Sequence, residues 1–511
     1  MEEKIQEKEF NSSLKLIAKS SFIVLIGLLI SKILTYLYRI TIARTFEPSA
    51  YGLFSIAVIF VSIFTTFAAL GFDSGLLRFI SLYRGSKELN KSRYLFRFSF
   101  KVIFVISLLF GLLLFLLSNF IAIEIFKNPA LSILLKYSSL FIPAFSLLGI
   151  FFSSLKAYEK IGWYSFLSNI LLLFLQLILL IVLIHLNVGQ TSIIFSYLLG
   201  YLGVFFMSIL ICKFQIPEIF FKTNINKEEK LKVRKEFLSY SIPILFLSLS
   251  PILFSSIDSF FIGYFLNADK VGIYNAATPI AALLLVVPNL FIQLFLPLIT
   301  KEFSKGNKEV IKQLSKQVSK WIFTINLPIF ILLILFPGAI INILFGAEYI
   351  AAENALRFLS IGVFFYSCFS TISQNLLSMA GKSKTISLNM LICILVNLGL
   401  SPVLTPKLGI EGAAIATMTA YLCLGILDIV QASRKTSIIP IRRKMFGIFL
   451  VSLIPTAILL ILRGIIEINI LSIILLTIFF FLLFFTLILI TKCFDKNDIM
   501  ILKSIKRRLN L

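Results

Sequence analysis

Pro48-Ser49-Ala50-Tyr51-Gly52-Leu53-Phe54-Ser55-Ile56-Ala57 follows the first apolar run of the chain, and Ala268-Asp269-Lys270-Val271-Gly272-Ile273-Tyr274-Asn275-Ala276-Ala277 follows the seventh. Gly52 and Gly272 are 220 positions apart, and each stretch opens a new apolar run. The same offset relates Asn169 to Asn389. Solenoid repeats have periods of about 20–50 residues. The long period therefore indicates that a whole bundle of helices has been duplicated.

The composition is that of a membrane protein. Apolar residues make up 59% of the 511 residues, and charged residues make up only 14%. A soluble protein with this balance would have too little polar surface for water. The apolar runs are about 20 residues long, which is enough to cross a hydrocarbon core of about 30 Å as helices. They lack the alternation of a barrel strand, so the sequence predicts an all-α integral membrane protein.

We predict fourteen transmembrane helices. The first six and the next six correspond under the offset, which predicts two pseudo-twofold-related six-helix bundles, residues 20–212 and 237–431, and two C-terminal helices within residues 445–491. The remaining segments, 1–19, 213–236, 432–444 and 492–511, are predicted to be cytoplasmic. The predicted spans are residues 20–43, 51–71, 95–118, 131–154, 163–185, 191–212, 237–263, 276–299, 320–340, 355–379, 385–404, 410–431, 445–462 and 469–491.

The distribution of charge predicts the orientation of these spans. The net charge is +24, and most of the 48 Lys and Arg residues lie in the termini and in the even-numbered connections. By the positive-inside rule these regions face the cytoplasm, so both termini of this multi-pass protein of the cytoplasmic membrane are predicted to be cytoplasmic. The orientation of the protein in the membrane is sufficient to explain the positive net charge, so we predict no nucleic-acid partner.

Three polar residues of the first span share one helix face. Lys32, Tyr36 and Arg39 are spaced four and three apart. A charge near the centre of a membrane helix costs about 2.5–3.5 kcal/mol, so each one needs a reason. One interpretation is a water-filled cationic cavity between the two bundles, which would bind an anionic head group. The alternative is that the two basic side chains snorkel to the interface.

Further charges occupy related positions in the two halves. Lys136 in the fourth span corresponds to Arg357 in the tenth, and both are candidate cavity cations. Asp258 in the seventh span lies one position from the equivalent of Arg39. Arg39 and Asp258 are therefore a candidate ion pair, either for gating or for packing alone.

Uncharged polar residues also occur within the spans, and either interhelical hydrogen bonding or sugar binding would explain them. Basic residues outnumber acidic ones in the spans, which favours an anionic cargo over a cationic one. The candidate lining residues are Tyr36, Asn169, Gln374, Asn375 and Asn389.

Prolines are concentrated in spans seven and eight, as Pro243, Pro251, Pro279, Pro288 and Pro297. Proline removes a backbone hydrogen bond and kinks a helix. We predict that this pair of spans bends during alternating access.

Several catalytic functions are disfavoured. His185 is the only histidine, so the sequence offers no histidine metal cluster and no His-dependent triad. Gly381-Lys382-Ser383 resembles the end of a P-loop, but Leu376 stands where the first glycine would be. We therefore predict a protein that is not an enzyme and has no catalytic residue, metal or cofactor.

The chain resembles a known family of transporters. The two six-helix halves, Tyr51-Gly52-Leu53-Phe54-Ser55, and Leu408-Gly409-Ile410-Glu411-Gly412-Ala413-Ala414 are similar to those of the polysaccharide-export flippases (Wzx-type, O-antigen and related) of the multidrug/oligosaccharidyl-lipid/polysaccharide exporter superfamily. Members of the related peptidoglycan-precursor branch use arginines in the first helix to bind the cargo phosphate. Lys32 and Arg39 occupy a comparable place here.

The resemblance implies export of a polyprenyl-linked oligosaccharide, with its phosphate or pyrophosphate in a cationic cavity between the halves. The implied partners are this lipid-linked anionic glycan, the bilayer, and a glycan polymerase or glycosyltransferases, with the protein itself a monomer. Two alternatives stay open. One is a cation-coupled multidrug exporter of the same superfamily. The other is a membrane glycosyltransferase or ligase, which the absence of a long acidic outer loop disfavours.

Overall fold

The computed structural model describes residues 26–465, 470–491 and 493, and within these residues the chain contains helices but no strand. The helices are α1 (Ile26–Thr45), α2 (Pro48–Ala69), α3 (Phe72–Gly85), α4 (Leu89–Asn119), α5 (Pro129–Ser139), α6 (Ile142–Ala157), α7 (Ile161–Ser165), α8 (Leu172–His185), α9 (Ser192–Gln215), α10 (Lys227–Phe265), α11 (Ala268–Ala281), α12 (Val286–Ser304), α13 (Lys308–Leu335), α14 (Pro337–Leu344), α15 (Glu353–Phe365), α16 (Thr371–Met379), α17 (Ser383–Leu408), α18 (Ile410–Thr436), α19 (Arg443–Ile465) and α20 (Ile470–Ile490).

The predicted number of membrane spans is confirmed. Thirteen helices of the described chain are long and apolar enough to cross a membrane. The number rises to fourteen when α5 and α6, which are bent by 46°, are counted as one span. The first six residues of the first predicted span, 20–25, lie outside the described residues, as do the predicted segment 1–19 and all of 492–511 except Cys493.

The chain divides into two compact units. Unit 1 contains residues 26–275 and Ser401–Ile410, and unit 2 contains Ala276–Leu400 and the described residues from Glu411 onward. The division of residues 20–212 and 237–431 into separate six-helix bundles stays a prediction.

The core of unit 1 is rich in aromatic side chains from α3, α4, α6, α9 and α10. Phe72 and Phe237 are both fully buried, and their ring centroids are 4.7 Å apart in an edge-on arrangement. Such a pair contributes about 0.5–1.5 kcal/mol beyond the burial of its area. α10 is therefore built into the core of unit 1.

The core of unit 2 is organised around α13, which is the most buried of the described spans. The last helix, α20, contributes Leu476, Phe480, Phe484 and Ile488 to this core, and their spacing of four places them on one helix face. The two C-terminal helices are therefore part of the unit 2 core.

The two copies of the duplicated motif contact each other within unit 1. A Cβ added at Gly52 in α2 would lie 1.7 Å from the backbone oxygen of Ala268 in α11. A Cβ added at Gly272 would lie 1.8 Å from the backbone oxygen of Pro48. Real side chains do not approach main-chain atoms this closely, so glycine is required at both positions. We call this reciprocal contact the glycine crossing.

α10 begins earlier than the sequence suggested. It starts at Lys227, inside the predicted linker 213–236, and continues through Pro243 and Pro251 to Phe265 as one helix. Glu228 and Glu229 lie in its first turn, where negative charge interacts favourably with the helix dipole. The charged segment therefore extends the helix.

The eighth span, in contrast, is interrupted. A turn of 3-10 helix, Ala282–Leu285, separates α11 from α12 just before Pro288. Pro288 has no N–H to donate to the carbonyl of Leu284, four residues earlier. The side-chain Nδ2 of Asn326 in α13 donates to this carbonyl instead, at 2.8 Å. A polar side chain of another helix thus stabilises the break.

The glycine crossing predicts a strong effect of substitution. Gly52→Ala should destabilise the protein by about 1–3 kcal/mol, because the new methyl group overlaps main-chain atoms that cannot rotate away. Thermal unfolding of the purified protein in detergent would measure the change. Gly399→Ala is the matched control, since no atom lies within 4 Å of its added Cβ. Equal unfolding temperatures for the two variants would contradict the close contact.

Candidate functional site

One face of α1 packs within unit 1. The hydroxyl of Tyr38 lies 3.0 Å from the Oγ of Ser196 and donates to the backbone oxygen of Ile193 at 3.2 Å. Nearer the start of the helix, a Cβ added at Gly27 would lie 2.5 Å from the Oγ of Ser165. These contacts fix the rotation of α1 about its axis.

The predicted cationic face of α1 is not the face that packs through Gly27 and Tyr38. Lys32 is exposed, and Tyr36 and Arg39 are half-buried. The most exposed apolar side chains of the helix, Ile33 and Leu37, are 61% and 46% exposed. Successive residues of an α-helix are separated by about 100°, so the apolar stripe and the cationic face point in directions about 100° apart. The lysine is therefore exposed on a face distinct from the apolar stripe.

Arg39 belongs to a polar cluster at the glycine crossing. Its Nη1 donates a hydrogen bond to the hydroxyl oxygen of Tyr51 at 3.0 Å. The same hydroxyl donates to the backbone oxygen of Asn275 at 3.3 Å. Tyr51 is only 1% exposed. The duplicated motif therefore supplies the residues that hold the arginine.

Asp258 lies in the same unit and is held by the second copy of the motif. The hydroxyl of Tyr274 donates to Oδ2 of Asp258 at 2.5 Å, and Nδ2 of Asn275 donates to Oγ of Ser259 at 3.0 Å. Arg39 and Asp258 are thus each bound by a tyrosine of the motif. Their direct pairing stays a prediction.

The other two predicted cations have local partners. The Nζ of Lys136 lies 6.0 Å from the ring centroid of Phe115. Arg357 donates to the backbone oxygen of Ile334 at 3.3 Å and to the side chain of Asn354, and it lies 3.6 Å from the carboxylate of Glu353. The contacts of Arg357 favour a structural role, because they occupy the guanidinium groups that a ligand would use. Lys136 is placed only beside an aromatic ring.

Two of the predicted polar lining residues also make local contacts. Asn169 donates to Oγ of Ser165 at 3.1 Å, and Asn375 donates to the backbone oxygen of Thr371 at 2.7 Å. Both bonds join residues four positions apart in the sequence. They match the interpretation of these side chains as structural hydrogen-bonding groups.

Gln374 and Asn389 converge on a buried carboxylate that was not among the predicted site residues. Nε2 of Gln374 donates to Oδ2 of Asp428 at 2.8 Å, and Nδ2 of Asn389 donates to Oδ1 at 2.8 Å. Ser370, which lies in a turn of π-helix between α15 and α16, also donates to Oδ2. Asp428 is completely buried. In the sequence, Asp428 is recognisable only as a single acid in an apolar run. The side chains that donate to it come from the π-helical turn, from α16 and from α17.

Asp73 is a second acidic residue with a buried oxygen. It is half-buried and lies at the start of α3, which is not a candidate span. A Cβ added at Gly149 of α6 would lie 2.2 Å from its Oδ1, and this oxygen is buried without a hydrogen-bond partner in the described chain. Burial raises the pKa of Asp73 to about 6, although the charge of nearby Lys156 limits the rise.

Two family models match the sequence. The model described as polysaccharide biosynthesis protein matches residues 17–303, which is more than half of the 511-residue chain. The chain belongs to the polysaccharide biosynthesis protein family. A second model, MatE, matches residues 243–403. The resemblance to flippases of the multidrug/oligosaccharidyl-lipid/polysaccharide exporter superfamily is thereby confirmed.

Named relatives of this family member are transporters. A protein of Shigella flexneri named as an O-antigen transporter is 24% identical over 383 residues, which cover 73% of this chain and 88% of that protein. The lipid II flippase MurJ of Bacillus subtilis is 23% identical over 449 residues, covering 81% and 82%. The solved structure of lipid II flippase MurJ in its inward closed conformation matches with a TM-score of 0.72 and 19% identity, covering 92% of this chain and 99% of that chain.

These comparisons confirm an all-α, multi-pass membrane fold for this member of the polysaccharide biosynthesis family. The relatives are transporters and flippases, which supports the expectation of a protein that is not an enzyme at the level of the family.

Asp73 predicts a pH-dependent stability. Its pKa is higher in the folded state than the usual value near 3.9, so folding takes up protons and stability falls as the pH rises through about 4 to 6. Asp73→Asn should therefore raise the unfolding temperature at about pH 7 by roughly 2 °C or more. The gain should shrink as the pH is lowered to about 4.5. Glu228→Gln, which changes an exposed acid, is the control, and a gain independent of pH would contradict the assignment.

Proposed function

We propose that this protein is a flippase that moves a polyprenyl-(pyro)phosphate-linked oligosaccharide across the cytoplasmic membrane for the synthesis of cell-surface polysaccharide. Membership of the polysaccharide biosynthesis family and the named flippase relatives support the class of function. The observation that carries the proposal for this chain is the cationic face of α1, with the exposed Lys32 and the half-buried Arg39.

The energetics of the membrane explain why this face matters. Lys32 is exposed and lies near the middle of the predicted span 20–43, where a charge in contact with lipid would cost about 2.5–3.5 kcal/mol. A wet cavity removes most of this cost, and an anionic ligand in the cavity turns the charge into a binding group. The apolar stripe of α1 already provides a separate face for lipid. The cationic face is therefore assigned to the cargo phosphate.

The remaining candidate residues take different roles in this proposal. Lys32, Tyr36 and Arg39 line the path of the head group, and Arg39 also belongs, with Asp258, to the gate at the glycine crossing. Lys136 and Arg357 stabilise helix packing through the contacts described above. Among the uncharged residues, Asn169 and Asn375 act in packing, whereas Gln374 and Asn389 position Asp428.

The mechanism proposed is alternating access by two six-helix bundles, residues 20–212 and 237–431, with both termini in the cytoplasm. The protein works as a monomer in the bilayer, and it receives its cargo from glycosyltransferases and delivers it to a glycan polymerase. We propose no resident metal or cofactor for this route.

Neutralising the cationic face tests the proposal. The double variant Lys32→Gln/Arg39→Gln should reduce flipping on the order of 100-fold, because two charge-assisted hydrogen bonds to phosphate are lost. The measurement is the initial flipping rate of a fluorescent polyprenyl-pyrophosphate oligosaccharide in proteoliposomes. The variant should insert into the membrane normally.

The control is Lys136→Gln/Arg357→Gln, which removes the same charge from spans where the cations have local partners. This variant should flip the lipid at a rate within a few-fold of the wild type when it is folded. A normal rate for Lys32→Gln/Arg39→Gln would contradict the cargo role of α1.

A cation-coupled multidrug exporter is the second candidate function. The buried carboxylate of Asp428, with its three side-chain donors, favours it because such a group can exchange a proton or a metal cation. The MatE match over residues 243–403 also fits this alternative.

The two functions are separated by cargo. Under the flippase proposal, the protein should give no ethidium efflux when it is expressed in a host that lacks its own drug pumps. Efflux by the wild type that is lost in Asp428→Asn would support the exporter instead. Asn375→Ala, which removes a nearby amide bonded only within its own helix, is the control for general damage to unit 2.

A further inference from the structure

A proline interrupts the hydrogen bonding of α11 close to the glycine crossing. Pro279 lies inside this helix and has no N–H, so the carbonyl of Asn275, four residues earlier, lacks its usual α-helical donor. The hydroxyl of Tyr51 in α2 donates to this carbonyl at 3.3 Å. A side chain of the first motif copy therefore occupies the place of the missing donor in the second copy.

The same hydroxyl also binds an arginine. Its oxygen accepts a hydrogen bond from Nη1 of Arg39 at 3.0 Å, while its hydrogen points to Asn275. A phenol can do both at once, because it has one donor hydrogen and acceptor lone pairs. Tyr51 therefore forms a two-bond bridge from the cationic α1 to the proline site of α11.

The geometry of the bridge depends on the glycine crossing. Tyr51 directly precedes Gly52, whose backbone packs against the backbone of Ala268 at the start of α11. Tyr51 is only 1% exposed, so water does not replace either of its bonds in this arrangement. Separation of α2 from α11 would break the bond to Asn275 and expose the bridge to water.

A second proline site in the chain shows which part of this arrangement is special. The carbonyl of Leu284, four residues before Pro288, receives a hydrogen bond from the amide of Asn326 at 2.8 Å. At both proline sites, a side chain of another helix donates to the carbonyl that lies four residues before the proline. Of these two donors, Tyr51 is the one that also holds a residue of the proposed cargo and gating site.

We infer that Tyr51 is a positioning residue that couples the orientation of Arg39 to the closure of the α2–α11 crossing. The inference rests on the proposed function for the role of Arg39. While the crossing is closed, Arg39 is held by Tyr51 and kept from the cargo path. When the crossing opens, the bridge is lost, and the guanidinium becomes available to an anionic group.

Hydrogen exchange of α11 tests the bridge without any cargo. Tyr51→Phe should raise amide exchange in residues 268–281 about tenfold, because the carbonyl of Asn275 loses its hydrogen bond from the hydroxyl of Tyr51. In the Pro279→Ala background the helix regains its own N–H, so Tyr51→Phe should then change exchange less than about twofold. Arg39→Gln should raise exchange in the same segment, but not further when Tyr51 is already Phe.

Tyr38→Phe is the matched control. Tyr38 is 5% exposed and bonds to Ser196 and to the backbone of Ile193, so its loss is a similar buried change that leaves α11 untouched. It should not alter exchange in residues 268–281. If Tyr51→Phe does not give a monodisperse protein, the Arg39→Gln variant still tests the coupling, since it removes the hydrogen bond to the Tyr51 hydroxyl and keeps Tyr51 itself.

Two results would overturn the inference. One is an effect of Tyr51→Phe that persists unchanged in the Pro279→Ala background, and the other is wild-type exchange of α11 in Arg39→Gln. Flipping rates of the same variants in proteoliposomes keep the two proposals apart. Coupled exchange without any flipping of a polyprenyl-pyrophosphate oligosaccharide would contradict only the proposed function, whereas flipping with uncoupled exchange would contradict only the role of Tyr51.

Discussion

Main-chain contact between the two copies of the duplicated motif is the constraint on which the site depends. Lipid is as apolar as a leucine side chain, so helices in a membrane associate through close packing and polar contacts, with little help from the hydrophobic effect. Gly52 and Gly272 allow α2 and α11 to approach until backbone touches backbone. This approach brings the hydroxyl of Tyr51 in α2 within reach of the backbone oxygen of Asn275 in α11. The hydrogen bonds of Tyr51 with Arg39 and of Tyr274 with Asp258 then extend the polar cluster to α1 and α10.

Much of the fold could be predicted from the sequence, for a physical reason. Every crossing of a membrane needs a continuous apolar run of sufficient length, so each span can be recognised in the sequence from its own apolar run. The ends of the helices are harder to predict than the spans. In α10, the charged first turns from Lys227 are helical although they lie outside the apolar run. Local patterns cannot say where a polar segment continues a helix.

The candidate site was predictable where its geometry is local. The shared face of Lys32, Tyr36 and Arg39 follows from helical spacing alone. The hydrogen bonds of Asp428 could not be predicted in this way, because its donors are 39 to 58 positions away in the sequence. Arg357 shows the converse problem, since nothing in its own span reveals that the end of α13 offers a carbonyl to it.

Duplication produced two scaffolds that then acquired different polar groups. Asn169 and Asn389 are equivalent under the offset, yet one bonds to Ser165 and the other to Asp428. The position equivalent to Asp428 in the first half is Ser208, whose hydroxyl donates to the backbone oxygen of Phe205 in its own helix. The exposed cation of α1 is thus in unit 1, and the buried acid with its amide donors is in unit 2.

The place of α20 in the unit 2 core has a consequence for biosynthesis. The unit 2 core begins with side chains of α12 and is completed by Leu476, Phe480, Phe484 and Ile488 of α20. The first and last of these core residues, Phe295 and Ile488, are nearly 200 residues apart in the sequence and so leave the ribosome far apart in time. Domains generally fold as units in the order of their synthesis. Most of unit 1 can assemble early, whereas the unit 2 core is completed by α20 only when translation is almost finished.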